Sequence, residues 1–442
     1  MTDPRELTLI RELLDELFPI ARSLSGAGNR ATLDRLASVI PLKTHEIPCG
    51  TEVFDWIVPE EWQIRGGWIA TANGERIVDF DENNLHVVGY STPVNHRLLF
   101  SELEPKLHWL PEMPHAIPYR TTYYKKDWGF CVTQEQYQKL RGSTEPLEVV
   151  IDSELDASGS LTIGELLIPG RKDDEILVST YICHPSMAND NLSGVIATTL
   201  LAKSIIDSGQ PSYTWRFLFV PETIGPIAYV SNNPDIVDRT LGGLVITCCG
   251  GPGKLGYKKT FKGNHLVDRA IELAFRDFKI NPERYPFCPT GSDERQYSSP
   301  GIRIPVATIC KDKYHEYAQY HTSEDNLDFV TPEQIGEALK VYREVQMILD
   351  SNTKIASTVK GGEPRLGARG LYPSTGGSNK QPGVTHRSKD AFEYDLDAMM
   401  WVLFLADGDH DLVEIAENTG VAYSDITIIS NRLEESGLIV RV

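Results

Sequence analysis

The feature that most constrains the fold of this 442-residue chain is the alternation, from about Leu147 onward, of short apolar runs with longer stretches of helical period. The clearest runs are EILVSTYI, TWRFLFV, GGLVIT and RIPVATI. Strands alternating with helical segments predict an α/β unit, a sheet covered by helices. The helical segments are expected at 194–206, 264–278 and 332–349. Open sheets of this kind hold ligands beyond the carboxyl ends of their strands. The polar residues that follow the runs are therefore site candidates, above all His184 to Asp190 after EILVSTYI and Glu222 after TWRFLFV.

Upstream, Leu9, Leu13, Leu14, Leu17 and Ile20 recur at helical spacing, and a second helix is expected over 30–39. Between Cys49 and Leu110 the pattern changes to short runs rich in Trp, Val, Ile and Tyr, broken by turn formers, with Asn73-Gly74 as a two-residue hairpin signal. This predicts a small β subdomain. Residues 355–389 are rich in Gly, Ser, Pro and Lys and read as a linker or long loop; three helical segments and a short strand follow, the layout of a winged helix. The expected organisation is an α/β domain from 1–48 and 111–354, an inserted β subdomain at 49–110, a linker at 355–389 and a winged-helix domain at 390–442.

Asp and Glu number 62 against 43 Lys and Arg, a formal charge of −19, which opposes binding to phosphate backbones or anionic membranes. No nucleic-acid or membrane partner is expected. The seven cysteines include an adjacent Cys248-Cys249 pair but no CxxC, the usage of reduced intracellular thiols. With an acidic, amphipathic start and no apolar run of membrane-spanning length, the expectation is a cytoplasmic protein. Homo-oligomerisation is left open.

Metal-assisted hydrolysis needs imidazole and carboxylate ligands, an open coordination position and a nearby base. In ICHPSMANDNLSG, His184 and Asp190 occupy a loop after a strand; in YHTSEDNLDFVTPEQI, His321 lies in a turn before a helix. Glu222 ends a buried run, where a carboxylate serves well as a general base. Each has a plainer explanation: Asp190 as a helix cap, His184 as a satisfied loop histidine, Ser323 and Asp325 as turn formers, Glu222 as a surface glutamate.

Taken together and in order, His184, Asp190-Asn191 with Ser193-Gly194, Glu222, and Tyr320-His321-Thr322 resemble the M28-type zinc aminopeptidases. Ser292-Asp293 followed by Gly301 to Pro305 is similar to a further segment of that family. The segments ARSLSGAGNRATL, EEWQIRGGWI, ICHPSMANDNLSG and YHTSEDN more closely resemble a bacterial group of aminopeptidase-like proteins (DUF4910/DUF2172 type), often found among polysaccharide-biosynthesis genes. That resemblance implies a mixed sheet flanked by helices, an inserted small β subdomain and a C-terminal winged helix. It also implies zinc as cofactor, held by His184, Asp190 and His321, with Glu222 activating water for attack on an amide. Asp293, Glu294 and Arg295 become candidates for holding the substrate, a small peptide or other amine-bearing molecule; their plainer explanation is a solvated charged turn.

Three departures narrow the expectation, the first being that His184 and Asp190 lie much closer in sequence than the metal histidine and bridging aspartate of the family. Thr223 stands where two-zinc relatives carry a second glutamate ligand, and Thr247-Cys248-Cys249 where a further aspartate is expected. One zinc per chain is therefore expected, with Cys248 as a buried strand-end cysteine. A member of the family that binds zinc and ligand without cleaving is the alternative. A DNA-binding regulator is a third reading, which Asp425, Glu434 and Glu435 oppose, with only Arg432 beside them on the candidate recognition helix.

Overall fold

The computed structural model describes residues 3–371 and 396–442. It divides into two compact units, one of Met1–Asp268 with Pro282–Arg343, the other of Arg269–Asn281 with Glu344–Val442.

The first unit is built on an eight-stranded mixed sheet. Its order across the sheet is Lys43–Pro48, Ser160–Ile168, Tyr213–Val220, Lys172–Tyr181, Thr240–Ile246, Val306–Cys310, Gly256–Lys258, Glu283–Tyr285. The four strands from Tyr213–Val220 to Val306–Cys310 are mutually parallel, and antiparallel strands flank them. Tyr213–Val220 is buried from its second residue onward, as expected of a parallel strand covered on both faces. Helix Gly194–Asp207 supplies part of that cover and buries ten of its residues. Helix Pro4–Leu17 packs through Ile10, Leu13, Leu14 and Leu17, and the Asp3 side chain caps it by accepting the Arg5 N–H.

The small β region differs from the expected 49–110 span. Its four-stranded antiparallel sheet runs Arg76–Asp79, Glu61–Ala70, Leu147–Asp156, Val94–Leu98, so a central strand comes from well beyond Leu110. Leu147–Asp156 pairs along its whole length with Glu61–Ala70, and the chain then turns into the large sheet at Ser160. The hairpin at Asn73-Gly74 forms, but its loop runs from Thr71 to Glu75 instead of two residues, closed by the Thr71 N–H on the Glu75 carbonyl at 2.9 Å.

The second unit contains helices Leu396–Phe404, Leu412–Thr419 and Tyr423–Glu435 and a three-stranded antiparallel sheet ordered Asp407–Asp411, Lys354–Ser357, Ile439–Arg441. This is a winged helix. Its central strand, Lys354–Ser357, overlaps the expected linker at 355–389: only Ile355 of its four residues is buried, too little pattern to announce a strand. The rest of that linker from 372, and residues 390–395 of the expected winged-helix span, lie outside the described residues. Asp411 and Glu414 form a reciprocal capping box at the start of Leu412–Thr419, and Arg269 clamps Glu417 on the same helix with contacts of 2.6 to 3.0 Å. Among the described residues no helix is long and apolar enough to cross a membrane.

Candidate metal centre

All four parallel strands end at one edge of the sheet, and the loops that leave them carry the candidate residues. Lys172–Tyr181 runs into Cys183-His184, Tyr213–Val220 into Pro221-Glu222-Thr223, Thr240–Ile246 into Thr247-Cys248, and Val306–Cys310 toward His321. Ser186, Thr223, Cys248 and His321 all adopt positive φ, between 38° and 66°. Four left-handed non-glycine residues in these loops mark a backbone bent to place side chains. Gly194 opens the helix after Asp190 where a Cβ would fall 2.5 Å from the Ile246 carbonyl oxygen, so only glycine lets that turn pack on the neighbouring strand.

The structure brings His184, Asp190, His321 and Glu222 together. His321 Nε2 lies 3.0 Å from Asp190 Oδ2, and His184 Nε2 lies 3.9 Å from both Asp190 Oδ2 and Glu222 Oε2. One ligand atom each from His184, Asp190 and His321 fall within 4.8 Å of one another. Asp190 is 1 % exposed, and yet neither its Oδ2 nor His321 Nε2 has a hydrogen-bond partner among the described residues. Two buried polar atoms that face each other unsatisfied are costly unless a shared ligand takes both. Two imidazole nitrogens and one carboxylate oxygen are a donor set suited to zinc, so the residues present fit the ion that the resemblance implies.

The surroundings hold these groups in place. Tyr181 OH donates to Asp190 Oδ1 and lies 2.6 Å from Thr247 Oγ1. Tyr320 stacks on His321 at 3.9 Å, and Tyr119 meets His321 edge-on at 5.1 Å. The Asp325 carboxylate accepts the backbone N–H groups of Asn189 and Asp190, at 2.6 and 2.9 Å, and the Tyr317 hydroxyl at 3.0 Å. Arg22 donates to the His184 carbonyl at 2.9 Å. Burial pushes the His184 imidazole down to about 4, against the pull of Asp190, so it is neutral and able to ligate. Burial drives Asp190 upward, but His184 and His321 beside it hold it below the usual carboxylate range. Glu222 is raised well above its ordinary value by burial and then by the nearby charges of Asp293 and Asp190.

Of the three substrate-binding candidates, two stand beside Glu222. Asp293 Oδ1 accepts the Thr223 N–H at 2.7 Å, and Arg295 donates to the Thr223 hydroxyl at 3.1 Å. Asp293 is fully buried, its Oδ2 is without a partner among the described residues, and burial lifts its carboxyl to about 7. Glu294 points elsewhere: it is fully buried and accepts from Lys258 Nζ at 2.6 Å and Tyr314 OH at 2.8 Å. The solvated charged turn is thus replaced by a buried acidic segment. Cys248 is buried at its strand end, its thiol 3.8 Å from Asp190 Oδ1.

No pattern in the sequence marks Cys183, Tyr119, Lys258 or Arg22 as site residues. Cys183 directly precedes a singled-out histidine and Arg22 lies in a quoted segment, so adjacency was an available signal. Tyr119 sits in an irregular stretch that reaches the centre because its N–H donates to the His321 carbonyl at 2.8 Å.

A parallel-centred mixed sheet with a His–Asp–His cluster at its strand ends defines an aminopeptidase-like α/β protein. A zinc aminopeptidase from Bacillus subtilis shares that fold, with a TM-score of 0.56 at 13% identity over 77% of this chain and 93% of that one. The chain belongs to the family described as a domain of unknown function, DUF4910, whose profile matches residues 11–352; a winged helix-turn-helix profile matches 354–441. A Clostridium acetobutylicum protein provisionally named a polysaccharide biosynthesis protein with an aminopeptidase-like domain is 42% identical over 96% of this chain and 94% of its own length. The crystal structure of a protein from Clostridium acetobutylicum, provisionally termed a peptidase, superposes with a TM-score of 0.90 at 39% identity over 99% of this chain and 97% of that chain.

Proposed function

We propose that this protein is a zinc-dependent, aminopeptidase-like hydrolase that cleaves an amide or peptide bond next to a free amine. The observation that carries this reading is the pair of unpartnered atoms Asp190 Oδ2 and His321 Nε2, 3.0 Å apart, with His184 Nε2 and the Glu222 carboxylate beside them. His184, Asp190 and His321 would hold one zinc ion. When bound, zinc supplies Lewis acidity toward a carbonyl oxygen and acidifies water at its open position.

Glu222 is the general base. Its side chain is 29% exposed, and its backbone N–H donates to Cys183 Sγ at 3.3 Å, which fixes the turn that carries it. It accepts the proton of the attacking water and returns it to the leaving amine. Asp293, the candidate anchor for a substrate ammonium, is fully buried and acts on the site by holding the Thr223 N–H, with Arg295 on the Thr223 hydroxyl. Glu294, engaged with Lys258, supports this segment and does not contact substrate. The name of the 42% identical relative supports an amine-bearing intermediate of polysaccharide assembly as the substrate class, and seven free cysteines support a cytoplasmic setting.

The test is zinc content by elemental analysis together with hydrolysis of a panel of aminoacyl anilides. Glu222→Gln should keep zinc and lose at least about 100-fold in rate, whereas His321→Ala should lose the zinc. A zinc-loaded protein that cleaves no member of the panel would favour a ligand-binding member of the family. Thr223 and Cys248, at positions where two-zinc relatives place ligands, are the observation in favour of that second reading.

A further inference from the structure

We propose that Cys183, His184 and Glu222 form a second ion position, which takes a thiophilic divalent cation and excludes the hydrolytic zinc. The proposal rests on the assignment of His184 as a ligand and Glu222 as the base. His184 presents its two ring nitrogens to different neighbours: Nε2 faces Asp190 and Glu222 at 3.9 Å, and Nδ1 lies 3.5 Å from Cys183 Sγ. One ligand atom each from Cys183, His184 and Glu222 fall within 4.8 Å of one another, as do those of the His184–Asp190–His321 set.

The spacing suits an ion. A tetrahedral cation with sulfur at about 2.3 Å and nitrogen at about 2.0–2.1 Å sets those two ligands about 3.6 Å apart, close to the 3.5 Å between Sγ and Nδ1. The surroundings hold the sulfur in place. Cys183 is 1% exposed, its sulfur accepts the Glu222 N–H, and Arg22 bonds the carbonyl of the next residue. Binding forms a metal–sulfur bond and releases the thiol proton to solvent. A soft thiolate favours thiophilic ions over the harder donor set next to it. A neutral imidazole has one nitrogen free to ligate, so His184 serves one position or the other, and an ion held by Glu222 also removes the base. The site is therefore a built-in means of inhibition by thiophilic metals.

Cadmium is the probe. Titrating the metal-free protein should give near-ultraviolet thiolate-to-metal absorption that saturates at one equivalent. Cys183→Ser should abolish that absorption and weaken cadmium by about 100-fold or more, while Cys248→Ser and Cys288→Ser keep it. Glu222→Gln, which leaves the sulfur in place, should keep the absorption but weaken the affinity by about tenfold, a second readout should Cys183→Ser fail to fold. In the zinc-loaded protein cadmium should displace zinc, with total metal staying near one ion per chain. Absence of the absorption from the wild type, or its survival in Cys183→Ser, would overturn the site, and two ions per chain would overturn the exclusion. If the zinc form hydrolyses nothing, the hydrolase reading fails while the absorption and metal counts still decide this one.

Discussion

Asp325→Asn isolates the contribution of the carboxylate that holds the Asp190 loop. Asp325 is fully buried and bridges 135 residues of sequence to accept the Asp190 N–H at 2.9 Å on one oxygen and the Asn189 N–H at 2.6 Å on the other. Asparagine has the same shape but only one acceptor. Whichever way its amide turns, an NH₂ group must face a backbone N–H, so one bond is lost and a donor is set against a donor. Burial lifts the Asp325 carboxyl to about 7, so each bond contributes between the about 1 kcal/mol of a neutral acceptor and the about 1.5–3 kcal/mol of a charged one, and loss of a group that orients a metal ligand typically weakens the metal about 10- to 100-fold. The zinc dissociation constant, measured by competition with a chromophoric chelator, is therefore expected to rise about 10- to 100-fold. Thr331→Ala is the control. It removes the capping box between Thr331 and Gln334 and should cost about 1 kcal/mol of stability without changing zinc affinity. If Asp325→Asn folds and binds zinc within a factor of about two of the wild type, the positioning argument is wrong.

Other consequences can be measured independently. Lys258 is 3% exposed and paired with the fully buried Glu294, so Lys258→Met should destabilise by about 3–5 kcal/mol in chemical denaturation by leaving a buried charge alone, and Lys258→Met with Glu294→Gln should recover most of that loss. His86 is buried, with Nδ1 2.7 Å from the Cys131 carbonyl and Nε2 3.4 Å from the Gln136 amide; burial lowers its pKa despite the bond to Cys131. Its neutral form is thus the folded form. The stability it contributes should be complete above the unfolded value near 6.5 and fall away as pH drops below it. Melting temperatures from pH 7.5 to 5 should decline more steeply for the wild type than for His86→Gln, and parallel curves would refute this. Finally, helix Tyr423–Glu435 carries Asp425, Glu434 and Glu435 against Arg432. Electrophoretic shift with duplex DNA is expected to show no salt-dependent binding, and a shift that weakens steeply with salt would contradict the charge argument.

What was legible in the sequence was what short-range pattern controls. EILVSTYI and TWRFLFV announced themselves as strands because both faces are buried, and His184, Asp190 and Glu222 stood out because each follows such a run within a few residues. What was not legible depended on distant partners. Leu147–Asp156 reads equally well as a strand of either sheet; only its pairing with Glu61–Ala70, far back in the chain, assigns it. Lys354–Ser357 has one buried residue and becomes a strand because Asp407–Asp411 and Ile439–Arg441 flank it. Glu294 looked like a neighbour of Asp293 in function as well as position, but Lys258, 36 residues upstream, claims its carboxylate.

The same contacts bear on how many ions the proposed centre would hold. Thr223 occupies the position where a second metal-binding glutamate was expected, and its groups are already engaged with protein: its N–H donates to Asp293, and its hydroxyl receives the Arg295 guanidinium. Restoring a ligand by Thr223→Glu would break the Arg295 contact and bring a third carboxylate beside Glu222 and Asp293, whose pKa values burial already pushes upward. At the other expected ligand position the Cys248 thiol leans on Asp190 Oδ1, the oxygen that also receives Tyr181 OH. That oxygen is satisfied by hydroxyl and thiol, whereas Oδ2 is not. We therefore propose a single ion, held on the Oδ2 side of Asp190 that faces His321.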